Sequence, residues 1–208
     1  MSEPRESPPE ASDALRFAIK KELRDRMRRV RRALPDEARA ARAAKIWERV
    51  FATPQWQSAR TVMLFVSMRT EIDTAAGVAE ARAAGRRVVA PRMTPSGLEV
   101  REWEPGVEPV ESGRMVREPP ADAPLVDPRE VDFVLVPALA LDPRGARIGY
   151  GAALYDGLLP RMPQAYRVGV AFDFQLLAEI PETPGDQRVH LVVTDTRTVD
   201  TAAAGSTD

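Results

Sequence analysis

The chain has 208 residues, 44% hydrophobic and 29% charged, enough for one full-sized domain with a sizeable core. Its 30 Lys and Arg nearly cancel 31 Asp and Glu, leaving a formal net charge of -1, which argues against a surface built as a whole for nucleic acid. No cysteine and a single histidine, His190, exclude disulfides, thiol nucleophiles, thiolate metal sites and multi-histidine metal centres.

Residues 1–11 carry Pro4, Pro8 and Pro9 and little to bury, and read as a disordered lead. They lack the apolar segment of a signal peptide, and no later run approaches the roughly 18 apolar residues of a membrane span. A cytoplasmic protein is expected. Ser12 or Asp13 can cap a helix to about Ala33. Its apolar residues Leu15, Ile19, Leu23, Met27 and Val30 predict a narrow buried stripe, with the basic residues on the other faces. Leu34-Pro35 breaks this helix, and a second runs from Asp36 to about Phe51. From Arg16 to Arg49 there are 13 Lys or Arg against 5 Asp or Glu, a local net of +8.

At Thr61 the period changes. Thr61 to Val66 is a continuous apolar run, as in a strand buried on both faces. Asp73 or Thr74 can cap a helix ending at Gly85. Strands are predicted at Arg87–Ala90 and Leu98–Trp103, and a Pro-rich loop at 104–129. Phe133–Pro137 is another buried strand, followed by a Gly-containing turn and a helix at about 152–162. Arg167–Ala171 is a strand, Phe174–Ile180 a short helix, Leu191–Thr194 a last strand, and residues from Asp200 a disordered tail. Strands alternating with helices predict a three-layer αβα domain over 12–199, with a largely parallel, Rossmann-like open sheet and basic N-terminal helices.

Four segments carry candidate chemistry. Arg147 to Asp156 follows a buried strand and opens a helix, and its glycines would let backbone amides approach a phosphate. It is neither a Walker A loop nor a G-x-G-x-x-G, so an ordinary strand-to-helix turn fits equally well. The basic helix with Lys20 and Arg24 reads as a phosphate clamp, an RNA-binding face or simply a solvated face. Glu71-x-Asp73-Thr74 follows a strand; Asp73 and Thr74 read as a helix cap, whereas the Glu71 carboxylate could accept hydrogen bonds from an amino-heterocycle. Asp156 and Asp186 form a carboxylate pair suited to Mg²⁺. His190 reads as a polar edge residue of the last strand.

In order and spacing, these segments resemble the 5-formyltetrahydrofolate cyclo-ligase family, also called 5,10-methenyltetrahydrofolate synthetase. The resemblance spans about Lys20 to Asp195. It is carried by Lys20-x-x-Leu23-Arg24, Glu71-x-Asp73-Thr74, Glu118-Pro119, Val136-Pro137 to Asp142, Gly145, Arg147-Ile148-Gly149-Tyr150-Gly151, Tyr155-Asp156, Phe172-Asp173-x-Gln175, Asp186 and Val189-His190. The resemblance implies an ATP- and Mg²⁺-dependent enzyme that converts 5-formyltetrahydrofolate to 5,10-methenyltetrahydrofolate, a monomer without membrane or nucleic-acid partners. It implies that Lys20, Arg24, Arg147, Gly149, Tyr150, Gly151, Ala152, Ala153, Leu154 and Tyr155 bind ATP. Val66, Glu71, Tyr150, Gly151 and Tyr155 would meet the folate, and Asp156 and Asp186 would hold Mg²⁺.

The loop centre departs from the family pattern, usually Gly-Gly/Lys-Gly-Tyr/Ser-Tyr-Asp. Here Ala152, Ala153 and Leu154 stand between Gly151 and Tyr155. If position 153 needs a left-handed backbone, Ala there costs about 1–2 kcal/mol. These substitutions motivate an alternative: a divergent member that binds nucleotide or a folate-like ligand with little or no turnover.

Overall fold

The structure is a computed structural model describing residues 9–112 and 116–204. In chain order it begins with helices α1 (Pro9–Ala33), α2 (Asp36–Phe51) and α3 (Pro54–Ser58). Strand β1 (Thr61–Met63), helix α4 (Ala75–Ala83) and strands β2 (Arg87–Thr94) and β3 (Gly97–Glu102) follow. The Pro-rich excursion holds the short strands β4 (Val110–Glu111), β5 (Arg117–Glu118) and β6 (Leu125–Val126). Then come β7 (Phe133–Pro137), β8 (Ala140–Leu141), β9 (Arg147–Ile148) and α5 (Leu154–Leu158). The chain closes with β10 (Tyr166–Val170), β11 (Leu191–Val193), β12 (Thr198–Asp200) and α6 (Thr201–Ala204).

Eight strands form one sheet in the order β12-β11-β10-β7-β1-β2-β3-β6. The central five, β11 to β2, pair in parallel; β12, β3 and β6 add antiparallel edges. Alternate residues of each central strand feed opposite faces. Phe133 and Leu135 of β7 pack on one side with Ile46, Trp47 and Val50 of α2 and Trp56 of α3. Val134 and Val136 pack on the other with Leu158, Leu159 and Met162. This two-sided burial is why the central strands read as apolar runs, and it yields the three layers.

A third cluster joins Met27 of α1 to Leu139, Ala140, Ile148 and Ile180, seating the helix on the β8–β9 hairpin. Here the α1 expectation fails. Leu15, Ile19 and Val30 are exposed. The inward face instead presents Lys20, Leu23, Arg24, Met27, Arg28 and Arg31, at the i, i+3, i+4 spacing of one helical face. Lys20 and Arg31 on that face are each only 4% exposed.

Other differences have local causes. α1 begins at Pro9, so 9–11 are helical rather than part of a lead; 1–8 lie outside the described residues. The strand expected at 87–90 extends to Thr94 because β2 turns into an antiparallel hairpin with β3. The helix expected at 174–180 is only a 3₁₀ turn at Asp173–Gln175. Gln175 ties that turn to Phe172 N and Leu139 O, and Leu177 N donates to Leu141 O at 2.8 Å, so β8 captures the segment. Helix α5 stops at Leu158, and Pro160 sits in the 3₁₀ turn that follows. Asp200 closes β12 and Thr201–Ala204 are helical, where a tail was expected; residues 205–208 lie outside the described residues.

Candidate active site

Beyond the carboxyl ends of β1 and β7 lies a cleft of about 600 Å³. This is where open parallel sheets take ligands. Phe65 and Val66 after β1, and Pro137 at the end of β7, form part of its wall. Every residue expected to bind ATP, folate or Mg²⁺ borders it: Lys20, Arg24, Val66, Glu71, Arg147, Gly149 to Asp156, and Asp186. These come from four separate stretches of chain, brought together by the sheet and by the seating of α1 on the hairpin.

The basic face of α1 grips the glycine loop. Arg24 Nε donates to Gly149 O at 3.1 Å, and Arg28 Nη2 to Tyr150 O at 3.1 Å. Gly151 has φ +103, a backbone that favours glycine, while a Cβ there would meet Arg24 Nε only at the ordinary contact distance of 3.4 Å. Ala153 precedes α5 with φ 51 and ψ 21, the left-handed conformation anticipated at that position. It is the only non-glycine residue with positive φ among the described residues.

Lys20 Nζ pairs with Asp186 and donates to Thr183 Oγ1 at 3.2 Å. Thr183 N also donates to Asp186 Oδ2, at 2.7 Å. Burial works against the Asp186 carboxylate, but Lys20 and Thr183 together outweigh it and hold its carboxyl below the usual range. Nearby, Arg147 Nη2 donates to Asp156 Oδ1 at 2.6 Å, and Gln187 N donates to the same oxygen at 3.0 Å. The Arg147 guanidinium lies 5.9 Å from the Tyr155 ring centroid. The Tyr155 hydroxyl is buried with no hydrogen-bond partner among the described residues, and burial, then the neighbouring Glu71, pushes its pKa up.

These contacts bear on a metal. The hydrogen bonds to Asp156 fall on Oδ1 and those to Asp186 on Oδ2, so among the described residues the other oxygen of each is free for a ligand. No group of three His, Cys, Asp or Glu able to hold a metal occurs among the described residues. Two single oxygens in a cleft suit Mg²⁺, which keeps waters and shares phosphate oxygens, rather than a closed protein cage. The donor set fits.

A third cluster surrounds Glu71, which is 6% exposed. Its Oε1 accepts from the Tyr150 hydroxyl at 2.6 Å and its Oε2 from Met68 N at 2.8 Å. Burial raises the Glu71 pKa, and the Met68, Tyr150 and Arg31 contacts offset this only in part. Asp73 and Thr74 stand apart from the cleft at the start of α4, and of the two only the Asp73 side chain accepts from a backbone N–H of the helix. Asp73 Oδ1 accepts from Ala75 N at 2.9 Å, while the Thr74 hydroxyl turns away and donates to Phe65 O at 2.8 Å.

Sequence reasoning assigned no role to Phe17, Met68, Thr183 or Arg31. Phe17 precedes Lys20 by three positions, so helical spacing would have placed it on the cleft side. Glu118, noted only as part of a motif, is 3% exposed, pairs with Arg92 at 3.2 Å and accepts from Met93 N at 3.0 Å. It anchors the 104–129 excursion against the cleft. His190 lies outside the cleft; its Nδ1 accepts from Arg167 N at 3.2 Å, and burial, then Arg167, lowers its pKa.

A sequence model of the 5-formyltetrahydrofolate cyclo-ligase family matches residues 16–195. The 5-formyltetrahydrofolate cyclo-ligase of Escherichia coli strain K12 is 31% identical over 178 residues, covering 82% of this chain and 97% of that protein. The enzyme of the same name from Mycolicibacterium smegmatis is 31% identical over 185 residues, covering 86% and 94%. The NMR structure of Aquifex aeolicus 5,10-methenyltetrahydrofolate synthetase superposes with a TM-score of 0.78 at 27% identity, covering 88% of this chain and 93% of that one.

Proposed function

Because the chain belongs to the 5-formyltetrahydrofolate cyclo-ligase family, we propose that its cleft closes 5-formyltetrahydrofolate to 5,10-methenyltetrahydrofolate, using ATP and releasing ADP and phosphate. The observation that carries this reading is the spacing of two clusters along α1. Lys20 meets Asp186, and Arg31 meets Tyr150 beside Glu71. Eleven helical residues separate the two, about 16 Å at 1.5 Å per residue. One cleft thus offers a cationic end for phosphates and a buried carboxylate for an amino-heterocycle.

The chemistry needs both. The N5-formyl oxygen is a poor leaving group. It attacks the γ-phosphorus of ATP, the bond to the bridging oxygen breaks, and ADP departs. N10 then attacks the activated carbon and loses its proton, and the C–O bond breaks to release phosphate. Phosphoryl transfer asks for positioning and charge neutralisation rather than a protein nucleophile, which suits a chain without cysteine. Lys20, Arg24 and Arg147 supply positive charge, and the 149–153 backbone supplies amide donors. Mg²⁺, held by the free oxygens of Asp156 and Asp186, supplies further neutralisation of phosphate oxygens when bound. Glu71 orients the pterin, with Val66 against its face.

Purified protein with 5-formyltetrahydrofolate, ATP and MgCl₂ should accumulate the methenyl product, followed by its near-ultraviolet absorbance. Folded protein that binds both ligands yet forms no product would overturn the enzyme reading and leave a binding protein. Asp156→Asn should raise the MgCl₂ concentration needed for half-maximal rate; an unchanged requirement would remove Asp156 from the metal site.

A further inference from the structure

Arg31 is buried on the cleft face of α1, yet no carboxylate pairs with it directly among the described residues. Its Nη2 donates to Thr70 Oγ1 at 3.1 Å and to the Tyr150 hydroxyl. Its Cζ lies 5.6 Å from the Tyr150 ring centroid. The same hydroxyl donates onward to Glu71 Oε1. The charge of Arg31 is therefore answered by Glu71 through a phenol. Arg31, Glu71 and Gln175 also line a second cavity of about 10 Å³, the size of one water, and Arg31 Nε is buried without a hydrogen-bond partner among the described residues.

Glu71 is held from two sides: Met68 N fixes one oxygen, and the Arg31–Tyr150 relay fixes the other. An ionised carboxylate has about four acceptor sites. With one filled on each oxygen, each keeps one for a ligand, and the two point along set directions. The charged and titratable groups around this carboxylate are Arg31 from α1, Tyr150 from the loop and Tyr155 from α5.

We infer that Arg31 is a positioning residue for the folate end of the cleft: through the Tyr150 hydroxyl it fixes the Glu71 carboxylate to meet two adjacent N–H donors of the substrate's heterocycle. This rests on the reading of Glu71 as the pterin-facing group. Arg31 does not touch the substrate. A single guanidinium nitrogen, Nη2, donates to both Thr70 and Tyr150, and a lysine, with a shorter and more flexible stem, does not hold a donor at that point.

The test uses Tyr150→Phe, Arg31→Lys, their double variant and Glu71→Gln. Tyr150 is 37% exposed as a residue, but its hydroxyl bridges the buried Arg31 and Glu71, so the fold of every variant is checked by circular dichroism and thermal unfolding before binding is compared. Binding of 5-formyltetrahydrofolate without ATP is read by tryptophan fluorescence, and KM is measured separately for folate and ATP. Tyr150→Phe and Arg31→Lys should each weaken folate binding about tenfold and change the ATP KM far less. The double variant should be no weaker than either single, because both act through one relay. If Glu71→Gln weakens folate binding but neither of the others does, the inference is overturned while the reading of Glu71 stands. If Glu71→Gln also has no effect, the reading of Glu71 fails and the inference with it. Additive losses in the double variant, or a change confined to ATP, would likewise overturn it. Should Arg31→Lys fail to fold, Arg31→Gln takes its place in the same cycle: a loss of folate binding that does not add to that of Tyr150→Phe supports the relay, and an additive loss or none overturns it.

Discussion

Lys20 and Asp186 stand 166 positions apart in the chain and form an ion pair in the wall of the cleft. The lysine side chain is 5% exposed and the aspartate 22%. With the hydrogen bond from Lys20 to Thr183, this contact joins the first helix to the segment before β11 and brings two groups of opposite charge to the proposed phosphate end.

Lys20→Met should raise the ATP KM at least tenfold and cost about 2 kcal/mol at neutral pH. That is below the 3–5 kcal/mol of a fully buried pair, because Asp186 keeps some solvent. The sign of the pH dependence follows from a lowered folded pKa at Asp186. Its contribution is present above the ordinary Asp value of about 3.9 and is lost as pH falls through the folded value. The deficit of the variant in urea unfolding should therefore shrink in acid. A deficit that is constant with pH would contradict the pairing.

Ala153 occupies a left-handed backbone at φ 51. Ala153→Gly removes Cβ strain of about 1–2 kcal/mol and loses part of that gain to unfolded-chain entropy. A net gain of about 0.5–1 kcal/mol in denaturant unfolding is expected. Turnover should rise or hold, since the loop conformation is unchanged. A destabilised glycine variant would show that the strain is not there.

Glu71 has a raised folded pKa from burial. The stability it contributes is present below the ordinary Glu value of about 4.3 and is lost as pH rises through the folded value. Recognition of the substrate needs the opposite state, the carboxylate. The acid limb of kcat/KM for 5-formyltetrahydrofolate should therefore lie above that ordinary value, and Glu71→Gln should flatten it. A limb that survives in the glutamine variant would belong to another group.

Gly77 faces the Trp47 ring, and a Cβ there would fall 2.0 Å from it. Trp47 cannot easily withdraw, because its Nε1 donates to Asp73 O at 2.7 Å. Gly77→Ala should cost about 2–3 kcal/mol by overpacking. It should also weaken folate binding, since α4 begins at Ala75, four residues after Glu71. Chemical denaturation showing a loss below about 0.5 kcal/mol would refute the contact.

The central sheet is legible in the amino-acid pattern alone. β7 appears where Phe133–Pro137 reads as an apolar run, because a strand buried on both faces has no polar side to conceal it. Much of the cleft lining was legible as well, since Lys20, Arg24, Glu71, Arg147, Gly149 to Asp156, and Asp186 all border it. Tertiary structure alone decided the face of α1. Periodicity detects burial only when apolar residues are the ones buried, and here Lys20, Arg24 and Arg31 turn inward while Leu15, Ile19 and Val30 turn out. It also decided the 174–180 segment, where pairing with Leu141 displaced a helix that local pattern favoured. Arg31 and Thr183 escaped notice for the same reason. Their partners lie 119 and 163 positions away, and a hydrogen bond across that distance leaves no trace in local spacing.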